Sequence, residues 1–388
     1  MALTLVQTPA TVSLAQSPII FTANESGPEI YYNAFQYVGE LYYRDGPEAG
    51  APVTADYVLL KYPNFAGNGI FDVSRIMNST LTDLAIQNTS NVKYFKLDVG
   101  WQWLSGSTYI TSSTKVSSSN YKALDGYGIF QESIGQSIQT TTPFWPLMTD
   151  GPASQSCFLE NKGTAGVYVG TTGGTQPTKI VYTSNLGTAD YSLSTTTATS
   201  GQVAQYPIGP SQTGFPLSTV GMTYFTVQPY AGGTALGQPI TYTVTCQQKY
   251  PNVRVRFKNR FGQFDWFNFY MVNRQGFQTT RKTYQPQLGT WQDATLSYNS
   301  YDSSTLNYIA DSKQTLQVNT DWLDDDYNNI FKQLLVSDEV YWQYNADESG
   351  IRPITISTES LTFKTSVVDK LIQYTFDFNF GQAYKLII

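Results

Sequence analysis

Apolar and polar residues alternate along much of this chain, and the period-2 pattern predicts strands. It runs through Ala34–Arg44, Asp56–Tyr62, Lys93–Val99, Gly166–Val169, Lys179–Tyr182, Ile240–Thr245 and Val253–Phe257. Pro18–Thr22 and Glu29–Tyr32 read as the first strands, and Val340–Tyr344, Ile354–Ile356, Leu361–Lys364 and Leu371–Phe380 as the last. The period lengthens twice. Val73, Ile76, Met77, Leu81 and Leu84 fall at helical spacing behind Asp72 or Ser74 as caps, which predicts a helix at about 72–84. Leu323, Tyr327, Ile330, Phe331, Leu334 and Leu335 predict a second at about 321–336, capped by Thr320 or Asp321. Asp324, Asp325 and Asp326 would occupy its first turn, where the helix dipole favours anions.

Strands interrupted by single covering helices predict a mainly β protein of two or three β-sandwich-like domains. The divisions expected are 1–110, a β domain with an inserted helix; 111–250, a β domain with long Ser/Thr/Gly-rich loops; and 251–388, an aromatic-rich β domain with one helix. Stretches such as Thr111–Asn120 and Thr195–Gln202, and turn signals such as Thr171–Gly174, set the middle region apart.

Composition sharpens the picture in three ways. Charged residues are only 13%, about half the usual ~25%, while aromatics reach 15% with 29 Tyr and 21 Phe. Uncharged polar and aromatic residues suit solvated strand faces and wet subunit contacts. The net charge of −6 argues against sequence-independent nucleic-acid binding, which needs clustered Lys and Arg. The one dense basic stretch, Arg254, Arg256, Lys258 and Arg260, alternates along a strand and reads as a solvated or interfacial strand face. Finally, the chain has no His, which removes His-based catalysis and His metal ligands together.

Met1–Pro9 lacks the pattern of a secretory signal, and no apolar run is long enough for a membrane-spanning helix. Synthesis in a cytoplasm is the expectation, with Cys157 and Cys246 reduced there. Sequons at Asn24, Asn78 and Asn88 are read as chance matches in a Ser/Thr-rich chain.

No catalytic, cofactor-binding or metal site is expected. Asp324–Asp326 lacks the ligand spacing of a Ca²⁺ loop, and Thr171–Thr175 lacks the Lys and helix of a phosphate loop. Asp338 and Glu339 would point to opposite strand faces, and Glu132, Asp150 and Glu160 are scattered acids, so a carboxylate glycosidase is the weakest of the function classes considered. Three tryptophans are candidate contact residues. Trp101 and Trp103 share one strand face, read as core packing ahead of a sugar platform, and Trp145 sits between prolines in polar surroundings.

Two segments carry a resemblance. Residues 62–76, YPNFAGNGIFDVSRI, resemble a motif of tailed-phage structural proteins in which a turn introduces a short helix. Residues 255–269, VRFKNRFGQFDWFNF, resemble an N-x-F-G-x-x-D-x-F-x-F pattern of the same group, and the opening Met1–Pro18 is similar too. The group is tail-associated virion proteins of environmental and gut bacteriophages, including crAss-like phages. The resemblance implies a structural component of a virion, whose partners are other virion proteins and copies of itself. It carries no catalytic residue. A receptor- or glycan-binding module of a tail tip or head fibre, meeting a host surface glycan, is the alternative. Neither nucleic-acid binding nor membrane insertion is expected.

Overall fold

Strand patterning gathers the N-terminal residues around the long strand Val92–Ser105. In the computed structural model, residues 3–45, 54–81, 92–128, 145–170, 176–193, 202–245, 250–344, 350–365 and 372–382 are described, and strands dominate them. A seven-stranded sheet runs in the order Val12–Leu14, Tyr121–Leu124, Val92–Ser105, Gln36–Asp45, Tyr57–Lys61, with Thr108–Thr111 and Val116–Ser117 also paired to Val92–Ser105. A three-stranded sheet of Thr4–Gln7, Ile20–Asn24 and Asn68–Asp72 packs on it. Phe21 and Phe71 of the small sheet share a core with Tyr37, Leu41, Phe95, Leu97 and Val99 of the large one. The approach is close because residue 39 is glycine: a Cβ there would stand 2.8 Å from the Phe71 ring. Each ring so buried stabilises the fold by ~1.5–3 kcal/mol.

Helix α1 (Ser74–Thr80) closes one side of this core with Met77, which is fully buried. Asp72 secures its start, because Oδ1 accepts the Ser74 N–H at 3.0 Å and the Ile19 N–H at 3.2 Å. Leu84, expected on the same helix, lies outside the described residues.

A second sandwich follows in sequence. A six-stranded sheet is ordered Ser154–Cys157, Ile240–Val244, Tyr224–Ala231, Lys179–Ser184, Gly187–Ser192, with Thr234–Ala235 paired to Tyr224–Ala231. The two-stranded sheet Thr164–Val169 and Gln202–Pro207 faces it across Val167, Val169, Tyr206, Ile180, Tyr182, Phe225 and Tyr242. Alternation along Val92–Ser105 lets that strand serve both sides. Phe95, Leu97 and Val99 enter the first core, while Val92 and Tyr94 enter a third cluster with Tyr168, Val203 and Phe261. Both sandwiches therefore belong to one compact unit, Met1–Cys246, together with Phe257–Trp266 and Asn329–Ser337.

The second unit comprises Gln247–Arg256, Phe267–Asn328 and Asp338–Ile388. Its sheet is ordered Phe264–Phe269, Val253–Lys258, Val340–Gln343, Ile351–Ile356, Thr375–Phe380, Leu306–Asn319, Arg274–Tyr284. The chain passes from one unit to the other within the first two of these strands. Phe269, Phe376 and Phe378 pack edge to face in this unit, and Leu316 and Val318 are fully buried.

Three expectations change. Glu29–Tyr32 is not a strand: Pro28–Tyr31 is a 3-10 turn, and the chain reverses through Ala34 at φ 50° to enter Gln36–Asp45. The second helix begins later than 321. Thr320 and Leu323 donate their N–H groups to the carbonyls of Tyr374 and Ile372 at 2.9 and 3.0 Å, so that segment stays extended. A 3-10 turn, Asp325–Tyr327, then leads into α2 (Asn328–Val336). Leu361–Lys364 forms no strand; the Lys364 N–H goes to the Tyr374 hydroxyl at 2.8 Å instead of to a ladder.

The apolar stripe of α2 is buried as its spacing implies, with Ile330, Phe331 and Leu334 sealed from solvent. Phe331 is 0% exposed and Val336 on the same helix 67%. F331A is expected to cost ~3–5 kcal/mol by chemical denaturation, and V336A to stay within ~0.5 kcal/mol. Equal losses would show that the stripe does not face a core.

Candidate functional site

The two resembling segments contain the same turn, built by an asparagine. In residues 64–68, the Asn64 Oδ1 accepts the Ala66 and Asn68 N–H groups at 3.0 and 2.9 Å, the Asn64 N–H donates to the Asn68 carbonyl at 2.8 Å, and the Gly67 N–H returns to the Asn64 carbonyl at 2.9 Å. In residues 259–263 the corresponding distances are 3.0, 3.0, 2.7 and 3.0 Å, through Asn259, Phe261, Gln263 and Gly262. Both glycines have a positive φ, 78° and 71°. The side-chain carbonyl satisfies two N–H groups that the reversing backbone would otherwise leave bare. The motif therefore specifies a strand reversal.

The second turn is also the hub of a buried polar cluster. The Asn259 Nδ2 donates to the Met148 carbonyl at 2.9 Å and to Asp265 Oδ2 at 3.0 Å, and Thr149 Oγ1 donates to the same Asp265 oxygen at 3.1 Å. Gly262 is pressed so close to the chain at Asp125 that a Cβ there would fall 1.8 Å from the Asp125 carbonyl oxygen. Lys258 pairs with Asp125 at 2.7 Å. Arg260 grips Asp150 with two nitrogens, Nε and Nη2, the latter at 3.1 Å. Gln333 of α2 completes the grip: its Nε2 donates to Asp150 at 3.0 Å and its Oε1 accepts the Arg260 N–H at 2.9 Å.

The basic run is thus not a solvated face. Arg254, Arg256, Lys258 and Arg260 are all buried, because carboxylates more than a hundred residues away meet the last two. The carboxyls in the cluster are held by protein donors. Burial pushes the Asp265 carboxyl up to about 7, against the hydrogen bonds from Asn259 and Thr149 that favour its charged form, and the nearby Asp150 charge raises it further. Of the scattered acids, Asp150 is drawn into this lock, Glu160 is exposed, and Glu132 lies outside the described residues, as does Cys246. Among the described residues no three Cys, Asp or Glu side chains are grouped to hold a metal ion, and no helix is long and apolar enough to cross a membrane.

Trp101 and Trp103 come together, with ring centres 5.1 Å apart, in a ladder that leads from core to surface. Trp101 stacks on buried Phe35 at 5.9 Å, and Trp103 meets exposed Tyr32 at 5.4 Å. Trp101 packs at the margin of the first core, so the packing reading describes it, while Trp103 and Tyr32 form the outer rungs. Trp145 is separate and half-buried, and its indole N–H has no hydrogen-bond partner among the described residues.

A further group of exposed aromatic residues belongs to the second unit and had no counterpart among the sequence expectations. Arg274–Tyr284 pairs with Leu306–Asn319 over its whole length, with Tyr308 as the extra residue of a bulge. Pairing of Leu306–Asn319 to Thr375–Phe380 ends at Thr315, so among the described residues the hairpin continues as a two-stranded arm. From Phe277 to Tyr284 that is ~27 Å at ~3.4 Å per residue. Residues 285–305 form its tip. Trp291, Tyr298 and Tyr301 are 64%, 75% and 82% exposed there, yet the loop is hydrogen-bonded. The Trp291 Nε1 donates to the Leu288 carbonyl at 2.7 Å, the Thr290 N–H to the Ser297 carbonyl at 3.0 Å, and the Asn299 N–H to Asp302 at 3.0 Å. Exposed aromatic groups on an ordered support are a feature of interaction surfaces. The only sequence signal was the density of Tyr and Trp between 284 and 308 in a stretch without apolar alternation.

Compared with models of known protein families and with curated protein sequences, the chain matches none.

The raised Asp265 carboxyl gives unit one a pH dependence. A carboxyl whose folded-state pKa lies above its unfolded value of ~3.9 adds stability below that value, and the contribution is lost as pH rises through about 7. D265N cannot ionise, so its melting temperature is expected to fall less than that of the parent between about pH 5 and pH 8. Parallel curves would contradict the assignment.

Proposed function

We propose that this chain is a structural component of a bacteriophage virion, tail-associated, that works through contacts with other virion proteins and with copies of itself, without catalysis. The observation that carries this reading is the arm, an ordered hairpin with exposed aromatic residues at its tip and little buried surface of its own. A two-stranded ribbon gains little from its own fold, so presenting side chains to a neighbour gives it a use. The resemblance of residues 62–76 and 255–269 to tail-associated phage proteins supplies the setting. The two Asn-built turns within those segments are structural devices, in keeping with a role without a catalytic centre. The protein is assigned to the virion after synthesis in the host cytoplasm, with neither nucleic acid nor membrane insertion among its interactions.

A second reading, a module that binds host-surface glycan, rests on one observation: the outer rungs Trp103 and Tyr32 of the aromatic ladder are within reach of solvent. Aromatic faces of this kind can stack on sugars.

The combined variant Y298A/Y301A, which leaves the Trp291 hydrogen bond in place, separates these roles from folding. Its melting temperature is expected to match the parent, since the side chains are exposed, and its incorporation into purified phage particles to fall at least ~10-fold, as for loss of ~1.4 kcal/mol or more of contact energy. Normal incorporation would remove the arm from the assembly contacts. A glycan array that bound the parent but not W103A would favour the second reading.

A further inference from the structure

Arg274–Tyr284 is the terminal strand of its sheet: Leu306–Asn319 lies on one side, and no strand among the described residues lies on the other. It is 11 residues long and exposed or half-buried throughout. Long edges of this kind template pairing with another chain, and charged residues on them decide which pairings are tolerated. This edge carries Arg274, Arg281 and Lys282 and no acid.

We propose that this edge pairs with the same strand of a second copy, antiparallel, about a two-fold axis at Thr279. The proposal rests on the assembly reading above and adds its partner and register. Full overlap of two such strands places residue 274 opposite 284 and each residue opposite the one for which the two numbers have the same sum. Phe277 then faces Arg281 of the other copy, Arg274 faces Tyr284, and Lys282 faces Gly276. No basic residue lies opposite another. Both guanidinium groups gain an aromatic neighbour, and each such pair occurs twice because the interface is isologous. At the centre Thr279 meets its own counterpart, a favourable cross-strand pair. The charges that would repel an arbitrary edge select this alignment, and the strand is self-complementary in sequence as well as in hydrogen bonding. The extra residue of the hairpin's bulge, Tyr308, is on the partner strand, which leaves the outer edge of Arg274–Tyr284 continuous.

Thr279 on the axis gives a direct test. A cysteine there would face its own copy at the ~4.5–5.5 Å Cα spacing of directly opposed strand residues, within disulfide range. The full chain carrying T279C is expected to run mainly as a covalent dimer after mild oxidation, on a non-reducing gel. Q275C, on the same strand face but opposite residue 283, and the parent with its native cysteines should stay at background. T279P, whose ring takes a donor out of the centre of the strand, is expected to lose the dimer in light scattering while α2 and the sandwiches keep their melting transition. A folded T279C chain that fails to cross-link, or cross-links no better than Q275C, overturns the pairing. Particle incorporation distinguishes this failure from that of the assembly reading. Chains that enter particles without cross-linking at 279 refute the strand pair alone, and chains that cross-link at 279 yet never enter particles refute the virion role alone.

Discussion

Burying Lys258, Arg260, Asp125 and Asp265 around half-buried Asp150 is the constraint on which the first unit depends. Taking such charges out of water costs several kcal/mol each unless partners and hydrogen bonds replace the solvent. Here the replacement is drawn from far apart in sequence: residues 125, 148–150, 258–265 and 333. Asn259 couples these contributions, since one carboxamide closes its own turn through Oδ1 and ties Met148 and Asp265 through Nδ2. Such a network contributes less to net stability than apolar packing of the same volume would. Its effect is on specificity: only one arrangement of these four segments leaves no charge stranded. Apolar burial in this unit comes from the cores around Phe21 and Phe225 and the cluster of Tyr94, Tyr168 and Phe261.

The arm of the second unit follows the opposite rule. Its backbone is paired on one side, its side chains are mostly in solvent, and its tip is ordered by local hydrogen bonds from Thr290, Trp291 and Asn299. Ordering the loop in advance lowers the entropy lost when a partner binds, since ~1–2 kcal/mol per residue of backbone freedom is already spent within the free chain.

Much of this fold was legible in the sequence because alternation reports burial. Gln36–Asp45, Lys179–Ser184 and Ile240–Val244 appear close to their expected bounds, and α1 falls at the spacing of Ile76 and Met77. What escaped has identifiable causes. The start of α2 was misplaced because Thr320 and Leu323 bond to residues fifty positions away, which no local pattern encodes. The basic run looked solvent-facing because its carboxylate partners, Asp125 and Asp150, are equally remote. The arm was illegible for another reason. A ribbon exposed on both faces has no apolar stripe to announce it, and Thr, Gln and Lys there satisfy a strand as readily as a loop. The three candidate tryptophans differ in setting: Trp101 and Trp103 join one ladder, while Trp145 is half-buried and outside that ladder.

The central claim is that the arm's tip is a contact surface that assembly covers while the polar lock around Asn259 is complete without it. Hydrogen exchange on the purified chain and on intact phage particles tests this directly. Residues 285–305 are expected to gain protection in the particle beyond that which their own hydrogen bonds give in the free chain, whereas Phe257–Trp266 is protected equally in both. Equal exchange at the tip in the two states would contradict the account.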